Sequence, residues 1–251
     1  MKKIEPLNTF SFSRFTQLCK RSIELNMSAW LIGLTAVLGI LLIIWFLPIL
    51  FGGTIWHDYR IENLHPAATI LFTLGGLLIT SAIFKELHSS TTAFQYLTLP
   101  ATALEKLLGA WAITTVFYII VTFIFYFLLT LIIQIITAFS LTPELSVQLF
   151  NPLDFNIPDS VASYLYYHTI FLLGAVYFVK NNFLKTLLCI VVGMTSIIVI
   201  VGILLYVSGG GFSFNFSTGN LGTVLGHTIS VLFSLFVLTL AWIRLKNKQV
   251  A

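Results

Sequence analysis

The stretch GAWAITTVFYIIVTFIFYFLLTLIIQIITAF, residues 109–139, decides the fold because it contains no Asp, Glu, Lys or Arg. A helix needs about 20 mostly apolar residues to cross the hydrocarbon core of a bilayer. In lipid, every backbone amide must find its hydrogen-bond partner within the protein. We therefore predict a membrane-spanning helix here, long enough to tilt or to project beyond the membrane.

Five other segments are also long and apolar enough to cross a membrane, and they too contain no Asp, Glu, Lys or Arg. They are residues 28–51, 67–84, 160–179, 186–207 and 223–243. The sequence therefore predicts an all-α, polytopic membrane protein with six transmembrane helices, its transmembrane domain covering residues 28–243.

The composition of the whole chain supports the same class. Of its 251 residues, 58% are hydrophobic and 9% are charged, whereas soluble domains carry about 25% charged residues. No polar stretch is long enough to form a built-in ATPase or kinase domain. The lipid bilayer is thus the first partner that the sequence predicts, and any soluble chemistry has to come from another chain.

The basic residues predict the orientation in the membrane, because cytoplasmic loops are rich in Lys and Arg. With six spans, twelve of the thirteen basic residues fall on one side, and only Arg60 falls on the other. We expect both termini in the cytoplasm, including the tail 244–251. The net charge of +4 is read as this orientation signal and not as a nucleic-acid-binding patch.

The N-terminal segment, residues 1–27, has the pattern of an amphipathic helix. Phe12, Phe15, Cys19 and Ile23 recur at spacings of three and four, and polar side chains occupy the other face. Such a helix is suited to lie in the headgroup plane. Packing against the cytoplasmic ends of the bundle is the alternative.

The segment 85–108, between the second and third spans, is too apolar for a simple connecting turn. Thr92 with Gln95 and Thr102 with Glu105 fit helix-starting capping boxes, and Pro100 suits the first turn of a helix. We predict a short helix, a break at Leu99–Pro100, and then a helix entering the third span. An apolar, capped cytoplasmic element indicates a docking site for another protein; the alternative is that it folds back on the bundle or membrane.

Two further features leave alternatives open. The external loop 208–222 contains glycines and three phenylalanines, which fit either a re-entrant segment or a lid. Small residues spaced by four along the sixth span allow close approach of a second helix, either within the chain or in a dimer. This helix-packing stripe consists of Gly222, Gly226, Ser230 and Ser234.

Catalytic motifs are missing from the sequence. It has no phosphate-binding loop, no nucleophile-elbow motif and no paired carboxylates within the spans. His57 and His65 lack the further ligands of a metal site. A third hypothesis is an intramembrane enzyme that uses His168, His227 or tyrosine side chains. We predict no catalytic residue, no metal, no cofactor and no enzyme activity. The lack of intramembrane charge predicts an amphipathic or apolar cargo, or a route shared with another subunit.

The sequence FQYLTLPATALEKLLGAW, residues 94–111, resembles permease subunits of ABC-2-type transporters. In that family a leucine-rich, Leu-Pro stretch followed by a charged residue precedes the third span. The six spans and the basic N-terminal helix fit the same family, and the motif is most similar to permease-like membrane proteins from Bacteroidetes.

The resemblance implies a homo- or hetero-dimer of permeases in the bacterial cytoplasmic (inner) membrane, driven by cytoplasmic ABC ATPase subunits. It also implies that the segment 85–108 is the coupling helix through which the ATPase acts. The ATPase-facing residues would be Phe94, Tyr96, Leu97, Leu99, Pro100, Glu105 and Lys106. The alternative function is a structural or assembly anchor of an envelope or secretion complex, without transport activity.

Overall fold

The computed structural model describes residues 10–51, 55–139, 149–151, 156–207 and 220–250. Every regular element in these ranges is helical, which confirms the all-α prediction. The helices are α1 (Phe12–Phe51), α2 (Ile55–Ala82), α3 (Ser90–Leu97), α4 (Ala103–Ala112), α5 (Tyr118–Ala138), α6 (Asn156–Tyr177), α7 (Asn182–Val207) and α8 (Asn220–Val250). A 3-10 turn, Lys85–His88, precedes α3, and a π-helical turn, Ile113–Phe117, joins α4 to α5.

Within the described residues, five helical stretches are long and apolar enough to cross a membrane, which indicates a multi-pass membrane protein. They are Phe12–Leu47, Leu64–Ala82, Ala103–Ala138, Asn182–Val207 and Thr228–Lys248. The predicted fourth span corresponds to α6, which has 22 residues but is not among the five. Its tyrosines and His168 lower its mean hydropathy.

The helices are longer than the predicted spans. α1 runs without a break through the predicted boundary between the N-terminal segment and the first span. No proline or glycine stands between Phe12 and Leu31 to interrupt it. α2 begins at Ile55, within the predicted external loop, and α8 continues to Val250 through the predicted tail.

The chain forms two compact units. Unit 1 comprises Met1–Ile79 and Pro100–Leu165, and unit 2 comprises Thr80–Leu99 and Tyr166–Ala251. The core of unit 1 brings together side chains from α1, α2, α5 and the short stretch before α6. Its buried members are Leu41, Trp45, Leu64, Tyr126, Leu129, Ile133 and Phe150.

A second set of aromatic contacts in unit 1 surrounds a glycine of α2. The rings of Phe72, Tyr118 and Tyr164 have centroids 5.1–5.6 Å apart. The Tyr118 hydroxyl donates a hydrogen bond to the carbonyl oxygen of Phe72 (2.6 Å). A Cβ at Gly76 would overlap the rings of Tyr118 and Tyr164, so the absence of a side chain permits this packing.

Unit 2 is held at one end by contacts among α6, α7 and α8. Phe171 of α6 packs on Phe183 of α7 with centroids 5.3 Å apart. The ammonium of Lys248 donates to the carbonyl oxygen of Val176 (2.7 Å), which is one of the last residues of α6. Beyond its first turns, the apolar length of α7 is exposed within the described residues.

Candidate functional site

The segment predicted to dock a partner folds as the sequence analysis expects. α3 ends at Leu97, and α4 begins at Ala103 after the break at Leu99–Pro100. The Thr102 hydroxyl accepts from the amide of Glu105 (3.1 Å), and the Glu105 carboxylate accepts from the amide of Thr102 (2.8 Å). The predicted capping box at α4 is therefore confirmed.

The capping box expected from Thr92 and Gln95 is wrong, because α3 starts two residues before Thr92. The Thr92 hydroxyl instead donates to the carbonyl oxygen of Glu86 (2.7 Å) in the preceding 3-10 turn. This bond ties the turn to the helix and leaves Ser89 at the N-cap position.

The two aromatic side chains of α3 have different surroundings. Phe94 is 71% exposed, whereas Tyr96 is 8% exposed and packs edge-to-face on Phe84 (6.3 Å between centroids). Leu97 and Leu99 are half-buried and Pro100 is exposed. Of the predicted ATPase-facing side chains on α3, Phe94 is thus presented outward, and Tyr96 fixes the helix to its own unit.

His88 anchors the same segment to α6 and α7 within unit 2. Its Nε2 lies 3.1 Å from the carbonyl oxygen of Ala175, and the Nδ2 of Asn182 lies 3.3 Å from its Nδ1. Because a carbonyl oxygen only accepts, Nε2 carries the proton, and Nδ1 is left to accept from Asn182. Asn182 also donates to the carbonyl oxygen of Ser81 (3.2 Å).

This arrangement favours the neutral imidazole. Burial lowers the pKa of His88, and the ammonium of Lys248 acts in the same direction, whereas the bond to Ala175 opposes them. The turn Lys85–His88 is therefore attached to the ends of the long helices by a neutral hydrogen-bonded cluster.

In unit 1, the predicted docking residues Glu105 and Lys106 are interior. Glu105 is fully buried, and Lys106 is 2% exposed. The Glu105 carboxylate accepts from the backbone amide of Ser11 (2.7 Å) and from the guanidinium of Arg14 (2.9 Å). In this conformation neither Glu105 nor Lys106 offers a surface to a partner; Glu105 fastens the start of α1 to the start of α4.

The contacts of α1 with α4 bear on the two alternatives for the N-terminal helix. Arg14, which belongs to the polar face of the predicted amphipathic helix, is directed at Glu105. A Cβ at Gly109 would lie 3.7 Å from the Sγ of Cys19. These contacts favour packing of this part of α1 against the helix that leads into the third span.

Unit 1 also contains an elongated cavity of about 450 Å³. One face each of α1, α2 and the stretch from the π-helical turn into α5 forms most of its wall, and Phe150 and the start of α6 complete it. The lining extends from Ala29 to Leu41 on α1, from His65 to Ile79 on α2, and from Ile113 to Tyr126. At about 1.5 Å per residue, these faces are about 18–21 Å long.

The cavity wall is apolar along its length and polar at one end. Its described lining contains no Asp, Glu, Lys or Arg. The hydroxyls of Thr69 and Thr122 donate to carbonyl oxygens of their own helices. At one end, the Tyr126 hydroxyl lies 2.8 Å from Nδ1 of His65. At the other end, Trp30 packs on Phe117 (5.9 Å between centroids).

The remaining predicted positions are not brought into a chemical site. Gly226 faces open space, and the hydroxyls of Ser230 and Ser234 donate to backbone carbonyls of α8; Gly222 lies in the same helix. His168 is buried in α6, while the side chains of His57 and His227 lie outside the described residues. Loop 208–222 lies largely outside them too. Within the described residues, no three His, Cys, Asp or Glu side chains form a metal-binding cluster.

Sequence reasoning missed three features: the bond of Arg14 to Glu105, the cluster around His88, and the cavity. The first two join residues more than 80 positions apart, so no local pattern points to them. The cavity does have a signal, because its α2 lining repeats at helical spacing with the small residues Ala68 and Gly75 among bulky ones. Comparisons of this chain with protein-family models, with curated proteins and with solved structures found no match.

Proposed function

We propose that this chain is the membrane-spanning permease subunit of an ABC-2-like transporter, energised by a separate cytoplasmic ATPase. The observation that carries the proposal is the contrast between the exposed Phe94 and the buried Tyr96 on α3. Phe94 is exposed on a short apolar helix, while Tyr96 and Thr92 fasten that helix to its unit. Phenylalanine is among the residues enriched in protein–protein interfaces, so an exposed Phe94 on a fixed helix is suited to contact a partner.

Transmission of force requires such an element to be rigid. A partner that changes shape on ATP hydrolysis can move the spans only if the element it contacts is attached to them. In unit 2, Tyr96 on Phe84, Thr92 on Glu86, and His88 on Ala175 provide that attachment. These contacts support a coupling role for α3, with Phe94 as the residue that enters the ATPase.

The proposal includes a topology and an assembly. We infer six spans in a bacterial inner membrane, with α6 as the fourth, and both termini in the cytoplasm. The basic residues that are concentrated on one side support this orientation. The exposed apolar length of α7 supports either contact with lipid or pairing with a second permease subunit.

The test is co-purification with the ATPase encoded nearest to the gene of this chain. Phe94→Asp places a charge where the proposal requires an apolar contact, and we expect it to lower ATPase recovery at least about tenfold, equivalent to 1.4 kcal/mol. Gln95→Asp is the matched control, since it adds the same charge on the neighbouring exposed position of α3. Both variants should remain in the membrane fraction.

The outcome separates transport from anchoring. Equal recovery of ATPase by Phe94→Asp and the unaltered chain would contradict the coupling role. Loss of a different, non-ATPase envelope protein in Phe94→Asp would instead support the alternative of a structural or assembly anchor.

A further inference from the structure

The cavity of unit 1 has the shape of a linear chain and not of a compact solute. Faces of α1, α2 and α5 line its length of about 18–21 Å, and Phe150 and the start of α6 complete the wall. One leaflet of a bilayer is about 15 Å deep, half of a hydrocarbon core of about 30 Å. A groove that runs along the helices for at least the depth of a leaflet matches an extended acyl chain.

The chemistry of the wall matches the same occupant. Charged side chains are absent from the described lining, and the threonine hydroxyls are bonded to their own helices. Such a wall offers dispersion and hydrophobic contact along its length and cannot solvate an ion or a sugar. The polar pair of His65 and Tyr126 at one end can hydrogen-bond a headgroup.

The cavity is also open on one side. Ala29, Gly33, Thr69 and Leu78 line it and are exposed. These residues belong to helices that are apolar enough to span a membrane, so the open side faces the bilayer. A lipid can therefore place one chain in the groove while its second chain stays in the membrane.

We propose that this cavity binds one acyl chain of a membrane phospholipid, with the headgroup at the His65–Tyr126 end. The assignment of that phospholipid as cargo rests on the proposed permease function, whereas its binding does not. The substrate class of the transporter is then a bilayer lipid or a lipid-linked molecule of the same chain length.

Two glycines of α1 provide a matched pair of variants. A Cβ would meet no atom within 4 Å at either Gly33 or Gly39, so a side chain can start from both positions without overlap. Gly33 lines the cavity and Gly39 does not. Gly33→Leu fills the groove, while Gly39→Leu makes the same chemical change on the same helix outside it.

The test uses the full chain without any ATPase, in vesicles of phosphatidylcholine containing a phosphatidylcholine with a photoactivatable group on one acyl chain. Crosslinked residues are mapped by peptide mass spectrometry. We expect labelling around Val37 and Leu71 in the unaltered chain and in Gly39→Leu. Labelling should be about tenfold lower in Gly33→Leu. A tenfold change in binding corresponds to about 1.4 kcal/mol, which is near the low end of the free-energy cost of overpacking.

Two results would overturn the proposal. One is equal labelling of the groove in Gly33→Leu and Gly39→Leu; the other is labelling of the groove by a photoactivatable free fatty acid but not by the phospholipid. Labelling at Ile197, on the exposed length of α7, is the control in every sample, because it measures ordinary contact with the bilayer. Phe94→Asp should label like the unaltered chain, so failure of lipid binding and failure of ATPase coupling are distinguished.

Discussion

The guanidinium Nη2 of Arg14 lies 2.9 Å from the Oε1 of Glu105, a residue 91 positions later in the chain. The side chain of Arg14 is 16% exposed, and that of Glu105 is fully buried. The same carboxylate accepts from the backbone amides of Ser11, the residue before α1, and of Thr102, the N-cap of α4. The Glu105 carboxylate thus accepts hydrogen bonds at the N-terminal ends of both α1 and α4 and links the two helices.

Glu105→Gln should lower the free energy of unfolding by about 2–4 kcal/mol, because it removes the buried carboxylate that pairs with the largely buried Arg14. Thermal unfolding of the purified chain in detergent measures the loss. Glu24→Gln is the control: Glu24 pairs with Lys20 at 3.9 Å, but both are exposed, and such pairs contribute about 0–1 kcal/mol. Equal unfolding temperatures for the two variants would contradict the structural role of Glu105.

A second prediction concerns pH and the cluster around His88. Its pKa is lowered in the fold below the ordinary 6.5, so the unfolded or released segment binds the proton more readily. The stabilisation from the neutral cluster is complete above pH 6.5 and is lost as the pH falls below that value. Amide hydrogen exchange in residues 85–97 should therefore accelerate between pH 7.5 and pH 5.5, after correction for intrinsic rates.

His88→Gln is the control for this effect. A glutamine amide can donate to Ala175 and accept from Asn182, and it does not titrate. We expect nearly the same protection in this variant at both pH values. An unchanged pH dependence in His88→Gln would assign the effect to another group.

Residues that are close in sequence account for what could be predicted. The capping box of Thr102 and Glu105 lies within four residues, and the structure confirms it. Phe94 and Tyr96 are both among the residues predicted to face the ATPase, although residues two apart on a helix point about 200° apart. That spacing alone indicates that the two side chains have different surroundings. For Arg14 the sequence predicts only a place on the polar face of an amphipathic helix, since nothing near it in the chain reveals the carboxylate that α4 supplies.

A third prediction concerns the close packing at Gly76. A larger side chain there must displace the rings of Tyr118 and Tyr164, and overpacking of this kind costs about 1–3 kcal/mol. Gly76→Leu should therefore lower the unfolding temperature of the purified chain. Gly193→Leu on α7 is the control, as a Cβ there meets open space and leucine favours a helix by up to about 1 kcal/mol over glycine. Equal loss of stability in both would show that the change from glycine, and not the aromatic contact, is responsible.

The last prediction tests the orientation on which the coupling proposal depends. Gln95 is exposed on α3, so a cysteine there reacts with any thiol reagent that reaches its side of the membrane. In a background with Cys19→Ser and Cys189→Ser, we expect Gln95→Cys to resist a membrane-impermeant maleimide in intact cells and to react after permeabilisation. Arg60→Cys, placed by the sequence on the opposite side, should react in intact cells. Labelling of Gln95→Cys from outside would put α3 beyond the reach of a cytoplasmic ATPase, and the coupling role of Phe94 would then be excluded.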